Sequence, residues 1–140
     1  MNLGILLASA LWIVSPAPQG PPSANPTYPL RNTFVIATET VIDYANAADF
    51  KADDAHFQGQ MHTLKEAQAN LDAMASDDRE QAVAAATKSL IFAVASCHIE
   101  AIDGVSTAKC PTQIQQARDT AMDAIGKHRS NGVWVDGPPS

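Results

Sequence analysis

Apolar positions along the chain fall into four amphipathic blocks separated by polar punctuation. Phe34, Ala37, Val41, Tyr44 and Ala48 recur at alternating spacings of three and four, the period of one helix face. The phase then breaks. Phe50, Phe57, Leu64 and Leu71 start a second seam, filled in by Met61, Ala67 and Met74. With Asp49, Asp53 and Asp54 as candidate caps, the jump predicts a turn over residues 49–53. Neither glycine nor proline marks that turn, so one long kinked helix over 33–75 is the alternative.

A third helix is announced by Asp77-Asp78-Arg79-Glu80, an acidic cap with glutamate three residues on. Val83, Thr87, Leu90, Val94, Cys97 and Ala101 then form one continuous stripe, and Gly104 suits the C-terminal cap. Between Ser89 and Ile99 this helix carries no charge, and Leu90–Ala95 is apolar around the whole circumference. Such a helix is central to a core or covered by another subunit. The expectation taken is a central helix, with Phe92 in the core. The fourth helix opens at Pro111, where a first turn tolerates proline, and uses Ile114, Ala117, Ala121 and Ile125 with Met122 beside them. It fades over 126–130. Residues 131–140 are then a tail too short for a core strand, with Trp134 folding back onto the helices.

The predicted fold is therefore all-α, an up-and-down bundle of about four helices over residues 32–130. Scarce aromatics, at 6%, and abundant alanine favour the same class over sheet. What precedes the bundle differs in kind. Residues 1–30 contain no charged side chain, and Leu3–Val14 is too short to span a bilayer but suits the core of an export signal. Residues 1–24 are read as that signal and 25–31 as a Pro-rich linker. The missing basic residue near the N-terminus and an indistinct cleavage site keep an uncleaved tether as the alternative. Proline at positions 16, 18, 21, 22, 26 and 29 favours an extended spacer.

Charge narrows the class of partner. A net charge of −6 without any basic block argues against nucleic acid and anionic lipid. No stable membrane insertion is expected once the signal is removed.

Candidate chemistry is sparse. The only two cysteines, Cys97 and Cys110, most simply form a disulfide in an exported chain. A straight third helix running to Asp103 would leave Cys97 about 9 Å short of its end. Bridging within about 7 Å then requires early fraying or a loop over 104–109 that folds back. Cys97-His98 lacks the first cysteine of a covalent haem motif, since Val94 stands in that place. His62, His98 and His128, with Met61, Met74 and Met122, are the weak candidates for non-covalent haem. Asp53 and His56 have the spacing found in carboxylate-bridged metal bundles, but no second such pair appears. A surface histidine beside a capping aspartate explains them better. No nucleophile elbow, lysine-paired serine or phosphate loop is present.

The sequence thus points to an exported, non-catalytic helical module with a binding or structural role, acting on a protein partner or on itself. No cofactor is expected. A haem- or metal-binding bundle is the alternative.

Overall fold

The computed structural model describes residues 29–137, so the expected export signal and most of the expected linker lie outside the described residues. Four helices follow in order: α1 (Asn32–Ala47), α2 (Asp54–Met74), α3 (Asp78–Ile102) and α4 (Cys110–Ile125). They pack as an up-and-down bundle. Helix α3 touches α1, α2 and α4, α1 touches the other three, and α2 and α4 lie on opposite flanks without meeting.

The 33–75 ambiguity resolves as two helices. Asp53 takes extended backbone geometry, and its carboxylate accepts from the His56 N–H at 3.1 Å, the N-cap that starts α2. Asp77 does the same for α3, accepting from Glu80 N–H at 2.8 Å. At the far end of α3, Gly104 adopts φ 73° and lets two bonds close the last turn. Gly104 N–H donates to Ala101 and Val105 N–H to Glu100, a Schellman pair that reverses the chain. The loop over 104–109 therefore folds back rather than α3 fraying, and Cys97 and Cys110 are bonded with Cα atoms 5.9 Å apart.

The core is built from Phe34, Val41, Ile42, Phe57, Leu64, Leu71, Leu90 and Val94, with smaller residues between them. Leu30, at the end of the expected linker, packs against it. Three polar groups inside are satisfied across helices. Thr87 donates to Gln68 at 2.7 Å, and Gln68 donates to the Ala84 carbonyl at 3.0 Å, joining α2 to α3. Glu80 is buried beside the start of α1, where it accepts two bonds from Arg31 and two from Ser76. The Arg31 guanidinium and those Ser76 donors, against the opposing effect of burial, push the Glu80 carboxyl down to about 2.

Three expectations are corrected. Phe92 is not in the core. It is 73% exposed, because all three neighbouring helices pack on the opposite side of α3, along Val83, Leu90, Val94 and Cys97. Tyr44 on α1 is likewise largely outside, its place in the buried stripe taken by Thr38, Ile42 and Ala45.

The third correction concerns the chain after α4. Instead of fading helix and tail, Lys127–Ser130 (β1) pairs antiparallel with Val133–Asp136 (β2). Asn131 at φ 52° and Gly132 at φ 80° form the two-residue turn whose twist matches a hairpin. The hairpin docks on α1 through charge. Lys127 reaches Glu39 at 2.9 Å, Arg129 reaches Asp43 at 3.1 Å, and the Trp134 indole N–H donates to Asp43 at 3.2 Å. Trp134 does fold back onto the core.

Candidate functional site

The sequence candidates do not converge. Asp53 and His56 are one N-cap, exposed at the start of α2. His62 is exposed farther along α2, paired with Glu66 at 3.3 Å. His128 lies on β1, its Nδ1 donating to the Gly137 carbonyl at 2.7 Å. Met61 and Met122 are buried within the general core. Among the described residues, no three His, Cys, Asp or Glu side chains gather as a ligand set.

His98 is the exception in burial, at 2% exposure. Its Nδ1 lies 2.9 Å from the Phe50 carbonyl and its Nε2 lies 3.0 Å from Asp54 Oδ1, while its ring stacks on Phe57 at 3.9 Å. Both partners are acceptors, so both nitrogens donate and the pocket suits the imidazolium. Burial works against that charge, but the Phe50 carbonyl and Asp54 outweigh it and raise the His98 pKa. The His98 bond, aided by Gln58, holds the Asp54 carboxyl below its ordinary value. With neither nitrogen free, His98 has no lone pair for iron or for general-base work. It clasps the corner between α1 and α2 onto α3.

On the other side of that corner lies a groove of about 210 Å³. Ala45, Phe50, Val94 and Ile114 floor it, and Arg118, donating to Asn46 at 3.0 Å, stands at its rim. Pockets that enclose a drug-sized ligand start at roughly 300 Å³, so the groove is too small for a haem-sized group as it stands.

The most unusual surface is the outer face of α3. Phe92 and Ile99, seven residues apart and thus nearly in line, are 73% and 56% exposed. Ala95 and Ser96 sit between them, and Ile102 and Val105 extend the apolar strip past the end of the helix. No charged residue interrupts it between Lys88 and Glu100. By length and composition α3 could cross a membrane, with a window of mean hydropathy 1.5. Its inner face is nevertheless the bundle core. An exposed contiguous apolar strip rimmed by polar residues marks a contact site more often than an idle surface. Sequence alone marked Leu90–Ala95 as apolar all round, but not which side would be left open.

Fold and site together define a disulfide-tied four-helix bundle with a C-terminal hairpin and an open apolar helix face. Comparison with protein-family models, with curated proteins and with solved structures finds no match to this chain.

Proposed function

We propose that this chain is an exported, non-catalytic helical module that works by protein contact through the outer face of α3. The observation that carries it is that Phe92, Ile99, Ile102 and Val105, four of the seven large apolar side chains exposed among the described residues, lie on α3 or just past its end. Export is supported by the uncharged, apolar N-terminal stretch and by the Cys97–Cys110 bond, which persists in oxidising compartments. His98 is unavailable as a general base, because its two nitrogens are committed to Phe50 and Asp54.

A photo-crosslinking residue placed at Phe92 in the native host tests the contact face, with exposed Gln116 on α4 as control. Discrete protein adducts at position 92 and none at 116 are expected. An absence of adducts at 92 in correctly oxidised protein would overturn the proposal.

A further inference from the structure

The corner between α1 and α2 is tied to its surroundings unequally. Gln60 on α2 accepts from the Asp49 N–H at 3.0 Å and donates to the Ala47 carbonyl at 3.3 Å, while Asp53 is fixed as the cap of α2. Between those two points, the bond that joins the corner backbone to α3 among the described residues is the one from His98 Nδ1 to the Phe50 carbonyl. The Phe50 side chain lies half-buried in the groove beside Val94, Pro111 and Ile114. The other ring nitrogen, Nε2, donates to Asp54. An imidazolium serves both acceptors, whereas a neutral imidazole has one proton for the two.

A carboxylate accepts a stronger hydrogen bond than a peptide carbonyl, so neutral His98 keeps its proton on Nε2, toward Asp54. The Nδ1 lone pair then faces the Phe50 carbonyl oxygen at 2.9 Å, acceptor against acceptor, in a ring only 2% exposed. We propose that His98 is a proton-operated latch: charged, it holds the Phe50 segment on α3, and neutral, it lets residues 50–52 swing out and opens the groove that Phe50 lines. This goes beyond the contact reading of α3 and does not depend on it. The stacked Phe57 ring favours the cation. Because the His98 pKa is raised from 6.5, the latch is closed at and below that pH and releases as pH rises through the raised value. Other charged groups of the surrounding elements are engaged elsewhere or exposed. On the corner, Asp49 accepts from the Lys51 N–H and Asp53 from the His56 N–H, and the Lys51 and His56 side chains are exposed. On α3, Glu100 lies 3.6 Å from Cys110 Sγ. At α4, Lys109 is exposed and Arg118 donates to Asn46, and on α1 Asp43 pairs with Arg129.

Fluorine NMR of the oxidised protein labelled with 4-fluorophenylalanine tests this, with the Phe50 signal assigned through Phe50→Leu. The wild type is titrated from about pH 5 to about pH 9, and the His98 ring nitrogens are followed in parallel. The Phe50 signal moves toward its solvent value with the midpoint of the His98 ring, while that of fully buried Phe34 stays in place. Asp54→Asn removes the charge but keeps an acceptor for Nε2, and lowers both midpoints together by about one unit or more. His98→Gln, whose amide does not titrate, leaves Phe50 in one environment across the range. A Phe50 signal that stays fixed while His98 titrates overturns the proposal, as does a ring that keeps both protons throughout. So does a Phe50 midpoint unmoved by Asp54→Asn or surviving His98→Gln. Phe34 moving together with Phe50 also overturns it, because the whole bundle would then be opening rather than the corner.

Discussion

Leu90 and Phe92 stand two residues apart on α3, and one is 1% exposed while the other is 73% exposed. Both are large and apolar, and both lie within the uncharged run Ser89–Ile99. What separates them is the company each face keeps. Leu90 points with Val83, Val94 and Cys97 toward α1, α2 and α4, whereas Phe92 and Ile99 point where no described helix lies. The inner face accounts for folding, and the outer face leaves Phe92 and Ile99 open. Apolar character alone therefore does not distinguish a core position from an open one; the number of packed neighbours does.

The largest effect expected is a sharp contrast between Val94→Asp and Phe92→Asp. The first buries an unpaired carboxylate and should abolish the folded state, since isolated buried charge costs several kcal/mol or more. The second places the charge in water and should yield a soluble protein with full helical circular dichroism. Equal expression and equal spectra for the two would break the comparison.

Opening the disulfide comes next. Cys97→Ala with Cys110→Ala should cost about 2–4 kcal/mol in urea unfolding while helical content at room temperature remains. The four apolar seams supply the core, and the bond mainly restricts the unfolded chain, although it also pins the return loop after Gly104. Complete loss of helical signal would show that the inner face of α3 depends on the bond.

How much of this was legible beforehand follows from the kind of signal each part carries. The helices were legible because Asp53, Asp77 and Gly104 cap where the apolar period starts or stops. The disulfide was legible by elimination, as the only pair available. The open side of α3 was not, because a run such as Leu90–Ala95 has no polar side to set its orientation. Gln68 was missed because a buried amide looks polar until Thr87 and Ala84 satisfy it across the interface. Glu80 was legible as part of a cap, but not as the seat of Arg31, which is distant in sequence. The hairpin did have a signal, Asn131-Gly132 before Val133-Trp134-Val135. The polar strand Lys127-His128-Arg129 masked it, because its ion pairs to α1 replace an apolar face.

A smaller effect separates the polar fastenings by pH. Glu80, held at about 2 against an ordinary 4.5, contributes stability above pH 4.5 that is lost as pH falls toward 2. Asp54, also depressed, loses its contribution at the acid end in the same sense. His98 runs the other way. Its pKa is raised from 6.5, so its contribution is full below that value and is lost as pH rises through the raised one. Unfolding free energy should peak between about pH 4.5 and 6.5. Glu80→Gln should flatten the acid limb and His98→Gln the alkaline one. Unchanged limbs in both variants would remove these groups from the account.

The smallest change belongs to the hairpin. Asn131→Ala forces a less suitable residue into positive φ and should cost about 1 kcal/mol. Thermal melts should show the loss, with the Trp134 fluorescence of the docked hairpin changing more than the helical signal. A drop above roughly 3 kcal/mol would make the hairpin part of the core rather than a fastening on it.

The division of α3 into a folding face and a contact face is tested most directly by measuring Leu90→Ala and Phe92→Ala side by side. Both are unfolded in urea at the same low protein concentration. The account predicts a loss of about 2–5 kcal/mol for Leu90→Ala and less than about 0.5 kcal/mol for Phe92→Ala. Losses of similar size at the two positions would contradict it, because Phe92 would then be part of the monomer's core.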